Sequence, residues 1–426
     1  MKKLSFIKVL VIVCLLVIPF ASNAKHVSKA ESITAANHFL MSSGKSANFS
    51  LNIFHEIFSE NDILAYVFEL SPKGFVVISA NTILPPVIAY SFEDNYVDIN
   101  ETNPLLDLLR ADLESRIKYF EHNGQEFILI NEIKWQSILS NNNKQQQDTI
   151  FQQWPSTGNG WLTSNWTQNA PYSDFCPIDP VTSVRSIAGC PSIAMAQILN
   201  FHKTTHNTHF DNTDDYYHNY AGRQYWIDND YLARGFPSFP ILNDYLDTLS
   251  DHYLNNITLT NKDKAALTFA CGVAARQVYT SSGSGTFGVD QALEAYQKFN
   301  FNTVVLLDTT DTDLFDRLMQ NIKDTLPAHL AIVDPSWSSG HNVVVDGYNT
   351  DNYYHLNFGW GGSYNGWYLI PQEIPYSLTV IEGIVLDIIP SSTTNIQNSM
   401  EESSIKVFPN PCFEFATFSF IVKDAG

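Results

Sequence analysis

Along the 426 residues the hydrophobic pattern changes character several times. An unbroken apolar run covers Val9 to Phe20, preceded by Lys2, Lys3 and Lys8 and followed by the small residues Ser22-Asn23-Ala24. A charged start, a short apolar stretch and small residues at the cleavage positions form the pattern of a secretory signal. The run is also short of the ~20 residues a membrane-spanning helix needs. Two dense runs follow, "ILAYVFEL" and "FVVISA", separated by Ser71-Pro72-Lys73-Gly74, which predicts two strands joined by a turn. In "NPLLDLLRADLESRIKYFEHN" the residues Leu105, Leu108, Leu109, Leu113 and Ile117 recur on one face, predicting a helix. Together these make residues 25–150 a small α+β module, ending in the polar stretch 140–149, an exposed connection suited to proteolysis.

From 151 to 390 helical periodicity comes first and alternation second. "VDQALEAYQKFNF" and "DTDLFDRLMQNIKDTLP" predict amphipathic helices, the latter capped by Asp311 and ending before Pro327. "HNVVVDGY", "YYHLNFGW" and "GWYLI" predict successive strands, with Asn349 to Asn352 as the first turn. Helices followed by antiparallel strands predict an α+β fold of two halves. Residues 391–404 are a Ser/Thr-rich linker, and 405–426 hold a strand, a Pro-Asn-Pro turn and another strand, too little to fold alone.

Charge removes one class of partner. The 24 basic and 44 acidic residues give a formal net charge of −20, and losing the leader takes three lysines and no acid, moving it to −23. A polyanion would be repelled, so no nucleic acid is expected, and no membrane span remains after signal removal. Four cysteines follow the leader: Cys176, Cys190, Cys271 and Cys412. They are too few for a disulfide scaffold. Cys271 sits among Ala266, Leu267, Ala270, Val273, Ala274 and Val278 at helical spacing and reads as core; Cys176, in a Pro-rich loop, reads equally as free or bridged.

Cys190, in "RSIAGCPSIAMAQILNFHK", is placed differently. Preceding a proline, it is expected at the helix N-cap with Pro191 as the first helical residue. Unsatisfied N–H groups and the positive end of the helix dipole favour a thiolate there. A nucleophile and a small structural cysteine both fit this local evidence. Of the 12 histidines, His202, His206, His209 and His218 match no zinc spacing and read as a solvated loop, so no metal and no cofactor is expected. His355 reads as a satisfied strand residue. His341 opens a strand directly after "SWSSG", leaving its imidazole at a strand end.

A cysteine at a helix start, a Gly-His about 150 residues on, and then an Asn-aromatic-Gly-Trp-Gly-Gly run resemble a papain-like cysteine protease. "AGCPSIAMAQILNFHK", "SSGHNVVVDGYNTDNYYHLNFGWGGSYNGWYLI" and "NWTQNAPYS" resemble, more narrowly, the streptopain family of secreted bacterial cysteine proteases. "LAYVFELSPKGFVVISANTILPPVIAYS" is similar to that family's inhibitory propeptide, and the "FPNP" tail to the start of a type IX secretion sorting domain, here truncated as in a partial sequence. The resemblance implies a two-lobed catalytic domain behind a propeptide that inhibits it intramolecularly, protein or peptide substrates, and export by a secretion machinery. It implies Cys190 as nucleophile, His341 as base, Gln168 as oxyanion donor and Asn357 as the residue fixing the imidazole tautomer. Ser284 and Gly340 match positions that bind substrate backbone, and Trp360 either shields the pair, lines the cleft or is core. Phe358 and Asn342 depart from the family's tryptophan and small apolar residue. A catalytically silent peptide-binding protein, a surface adhesin and a papain-fold acyl transferase are the competing readings.

Overall fold

A residue run that is apolar at nearly every position predicts a strand covered on both faces, and "ILAYVFEL", interrupted only by Glu69, is such a strand. In the computed structural model, which describes residues 25–59, 62–96, 104–123, 125–140, 152–334, 336–337, 340–370, 380–390, 406–408 and 417–419, the N-terminal module runs α1 (Lys29–Ser42), β1 (Ser50–Ser59), β2 (Asp62–Ser71), β3 (Phe75–Ser79), β4 (Val87–Ser91), α2 (Pro104–Asn123) and α3 (Gln125–Leu139). The leader 1–24, residues 141–149 of the exposed connection, the linker 391–404 and Cys412 lie outside the described residues.

The four strands form an antiparallel meander, with β2 and β3 paired from Ala65↔Ser79 to Glu69↔Phe75 across the turn the sequence predicted. Tyr66, Phe68 and Leu70 of β2 pack toward α1 and the buried Trp135 of α3, while Ala65 and Val67 face Leu108, Leu109 and Leu113 of α2. Period-two alternation therefore serves two cores rather than one. Neither α1, β1, β4 nor α3 was predicted. In α3 exposed Leu129, Ile130 and Ile133 blur the helical stripe that would have revealed it.

The second module continues with β5 (Gln153–Trp154), α4 (Cys190–His202), β6 (Tyr216–Tyr220), β7 (Arg223–Ile227), α5 (Tyr231–Arg234), α6 (Phe239–Leu254), α7 (Asn261–Ala274), α8 (Asp290–Lys298), β8 (Val305–Leu307), α9 (Leu314–Lys323), β9 (Ala328–Val333), β10 (Gly340–Asn349), β11 (Tyr354–Asn357), β12 (Gly366–Tyr368) and β13 (Ile381–Leu386). Helices precede strands, as the periodicity indicated, and the α+β class follows. Two local expectations are corrected. The cap of α9 is Asp313 rather than Asp311, whose carboxylate accepts from Asp308 N at 2.9 Å instead. The histidine-rich stretch is not all solvated loop, because His218 lies on β6, buried against Tyr225 and bonded to Tyr279 N.

Helices α4, α6, α7 and α8 enclose one apolar core, and β9, β10 and β13 carry side chains into it on one face and into a second core on the other. Strand order is β1-β2-β3-β4-β12-β11-β10-β9-β13-β8, with β5 also paired to β10. The sheets of the two modules are thus one sheet, joined where Trp367 pairs with Tyr90 and Tyr368 with Ala89. Gly366 permits this closeness, since a Cβ there would lie 2.6 Å from Tyr90 O. Main-chain and side-chain bonds reinforce the seam: Leu369 N donates to Ile88 O at 3.1 Å, Tyr353 OH to Val87 O at 2.8 Å, and Tyr364 N to Asn95 O at 3.1 Å. Arg116, nearly sealed, donates to Asp112 at 2.8 Å and to the Leu369 carbonyl across the seam. Removing one partner of so buried a pair costs about 3–5 kcal/mol.

Residues 391–426 form a separate unit, in which β14 (Lys406–Phe408) and β15 (Thr417–Ser419) pair as an antiparallel hairpin from Lys406↔Ser419 to Phe408↔Thr417. Among the described residues no helix is long and apolar enough to cross a membrane.

Candidate active site

Helix α4 begins at Cys190, and its N-cap is Gly189 with φ +87°, one residue earlier than expected. Cys190 is therefore the first helical residue and Pro191 the second. Only glycine suits the cap: the conformation is left-handed, and a Cβ would sit 2.8 Å from both Gln277 Oε1 and Ser284 O. The approach to the cysteine is fixed from three sides. Ala188 N donates to Gln168 O at 2.9 Å, Ile187 N to Thr280 O at 3.2 Å, and Gln277 Nε2 to Ala188 O at 2.7 Å. Gln277 Oε1 in turn accepts from Ser192 Oγ at 2.7 Å. Gln277 was not foreseen, and its place at the C-terminal end of an apolar helix gave only a faint signal.

Ser284 lies in the loop against Gly189, its Oγ exchanging bonds with Thr280 N at 3.1 Å and Thr280 O at 3.2 Å. The loop is anchored by Asp179, which takes Ser281 N and Ser281 Oγ at 3.0 Å each and pairs with Arg223 at 2.8 Å. Hydrogen bonds from these donors hold the Asp179 carboxyl far below its ordinary range against the opposing effect of burial.

Opposite stands the start of β10. Gly340 is exposed at the strand end, and His341 is buried, its Nε2 2.8 Å from Phe358 O. A carbonyl only accepts, so Nε2 carries the proton. The ring stacks on Trp360 at 4.2 Å between centroids and lies nearly parallel to Phe358 at 6.1 Å. Trp360 therefore covers the imidazole. Burial holds His341 down at about 4 and pushes the Cys190 thiol up to about 11. Both groups are neutral near pH 7 in this form. Sulfur meets the neighbouring residue: Asn342 Nδ2 lies 4.0 Å from Cys190 Sγ.

Asn357 does not hold the imidazole. It pairs with Val344, its Oδ1 accepts from Gln197 Nε2 at 3.2 Å and Gly359 N at 3.1 Å, and its Nδ2 donates to Ser164 O at 2.9 Å. The carbonyl of Phe358 takes the tautomer-fixing contact, because a bulge between Val345 and Gly347 sets the β10–β11 register. Gln197, two turns along α4 from Cys190, also accepts from Ser164 Oγ and Trp166 N. Asn357 and Gln197 thus clamp the segment leading to Gln168, which is half-buried. His355 is a satisfied strand residue with a charged partner, Asp346, at 2.6 Å, and Asp346 also takes Leu162 N at 2.9 Å. Cys176 and Cys271 are free and fully buried.

Two lobes meeting at a helix start and a strand start, with the strand lobe extended by an N-terminal module, form the papain-like architecture in precursor form. Residues 166–368 match the model of the Peptidase C10 family and residues 24–117 that of the Spi protease inhibitor. The region 166–368 is thus similar to the peptidase domain of the Peptidase C10 family, and the region ahead of it to a Spi-type protease inhibitor module. The chain is 24% identical over 373 residues to the thiol protease/hemagglutinin PrtT of Porphyromonas gingivalis, covering 82% of this chain and 39% of that protein. It is 22% identical to streptopain of Streptococcus pyogenes over 341 residues, covering 74% of this chain and 75% of that one. A solved structure of Prevotella intermedia prointerpain A has the same fold, with TM-score 0.51 and 22% identity, covering 80% of this chain and 99% of that one.

Proposed function

We propose that this chain is the zymogen of an exported cysteine endopeptidase, with Cys190 as nucleophile and His341 as its proton partner. The observation that carries the reading is the opposition of a helix-start cysteine, on a cap only glycine can supply, to the first residues of β10. In the reaction the thiol proton passes to His341 and sulfur bonds to the peptide carbonyl carbon, whose π electrons move to oxygen. The backbone N–H of Cys190 and the side chain of Gln168 stabilise that oxyanion. Imidazolium protonates the departing amine, the C–N bond breaks, and water then displaces sulfur from the thioester. Extended substrate runs between Ser284 and Gly340, where little side chain obstructs its backbone. Trp360 keeps water from the imidazole.

The N-terminal module supplies latency by extending the peptidase sheet through β4, and cleavage between residues 140 and 151 releases it. A leader-directed route and a tail read by a secretion machinery complete the assignment. Cys190→Ala in the full chain is expected to abolish both casein digestion and self-processing, read by gel and by N-terminal sequencing. Digestion that survives this substitution, in protein purified free of other peptidases, would remove Cys190 from the reaction.

A further inference from the structure

Behind the sulfur a polar chain leads from half-buried Asn342 into the core, and the proposed reaction does not use it. Asn342 Oδ1 is 2.7 Å from His329 Nε2 on β9, and His329 Nδ1 is 3.2 Å from Tyr296 OH on α8. Tyr296 and His329 are fully buried, their rings edge to face at 5.9 Å. The direction of the hydrogen bonds follows from valence. Asn342 Oδ1 only accepts, so His329 Nε2 carries the proton; burial keeps this imidazole neutral, so Nδ1 accepts and the Tyr296 hydroxyl donates. The last donor in the sequence is Asn342 Nδ2–H, and it is directed at Cys190 Sγ. The three donors thus run in one direction, only the last of them reaching the sulfur, and hydrogen bonds aligned in this way polarise each other.

We propose that Asn342 is a positioning residue for the nucleophile, the terminal donor of a Tyr296–His329–Asn342 relay that holds the Cys190 sulfur and favours its thiolate. This rests on Cys190 being the nucleophile. A small apolar side chain at 342 would leave His329 Nε2–H without this acceptor and the sulfur without this donor, so the asparagine and the buried histidine are needed together. Among the described residues the thiol faces no charged side chain: burial raises it, and what opposes burial is N–H donation first from the Asn342 backbone, then from the Asn342 side chain, and last from the backbone of Cys190 itself. The titratable groups that the packed elements turn into this core are Cys271 on α7, Tyr296 on α8, His329 on β9 and His341 on β10. Asp263, Lys298 and Asp346 on the same elements are paired with His252, Asp214 and His355.

The test is the pH profile of iodoacetamide alkylation at Cys190 in the full chain, read by mass spectrometry of the Cys190 peptide. Asn342→Ala is expected to move the midpoint upward by about one pH unit, about tenfold in rate below the midpoint, the worth of one hydrogen bond to a charged acceptor. Asn342→Asp, which places an acceptor against the sulfur, moves it further. His329→Leu gives a partial shift, and His329→Gln, whose amide can still donate to Asn342 Oδ1, restores the wild-type profile. An Asn342→Ala profile superimposed on wild type in folded protein overturns the proposal, and should that variant not fold, a His329→Leu profile equal to wild type does so. The nucleophile assignment fails separately: digestion that persists in Cys190→Ala would refute it whatever the alkylation profiles show.

Discussion

The two walls of the cleft are built on different principles. The helical wall is self-contained: Gly189, Gln277, the Ser284 loop and Gln168 are held by bonds that begin and end within the peptidase domain. The stranded wall is not. From His341 the contacts lead to Trp360, from Trp360 to Tyr364 at 5.8 Å, and from Tyr364 to Tyr96 of the N-terminal module at 4.9 Å, while β12 continues directly into β4. The wall that carries Cys190 is thus independent of the N-terminal module, and the wall that carries His341 is shared with it. Damage to the first should remove activity, and damage to the second should alter latency.

The largest effect is expected from Gly189→Ala. A left-handed non-glycine residue costs on the order of 1–3 kcal/mol, and the new Cβ would overlap Gln277 and the Ser284 carbonyl. If the cap yields by even about 1 Å, rate falls about 100-fold. kcat/KM on a peptide substrate, with the urea midpoint as a fold check, measures this. An unchanged rate would mean that the helical wall is not preset.

How much of this difference was legible in the sequence depends on whether a residue's role is local. Cys190 and His341 could be singled out because a helix start and a strand start announce themselves in neighbouring residues. Gly189 went unremarked because Pro191 suggested a cap one residue later, and a positive φ leaves no mark beyond the glycine itself. Asn357 was assigned to His341 by motif order, but the bulge in β10 set the register and gave that contact to a backbone carbonyl, which no side-chain motif encodes. The shared sheet was invisible for another reason. Strands β4 and β12 are short, and the pairing of Tyr90 with Trp367 spans most of the chain.

A second, intermediate effect separates the walls by pH. His341 is neutral because it is buried, so its value falls from the ordinary 6.5 or so to about 4. Between those two values the unfolded chain binds a proton that the native protein does not, so native stability declines as pH drops through this window. One group with this displacement contributes about 3 kcal/mol. Buried His329 and half-buried His202 act in the same direction. His341→Gln should therefore shallow the acid limb of the full chain's stability between pH 6.5 and 4 without flattening it. A limb unchanged by this substitution would mean the imidazole is hydrated rather than sealed under Trp360.

The smallest effect probes the shared wall at its far end. Tyr96 is buried between Phe75 and Tyr364, edge-on to both rings, and touches neither Cys190 nor His341 through any contact described above. Such an aromatic pair is worth about 0.5–1.5 kcal/mol beyond the area it buries. Tyr96→Leu keeps most of that apolar burial and removes the ring contact, so it should loosen Trp360 over the imidazole by about that amount. Self-processing of the full chain is then expected to accelerate up to about tenfold, while kcat/KM of the processed enzyme, which no longer contains residue 96, stays at the wild-type value. Acceleration with an unchanged mature rate would locate the effect in latency alone. Equal processing rates would show that the module inhibits through the β4–β12 pairing and not through the aromatic contacts, leaving the stranded wall shared in its backbone only.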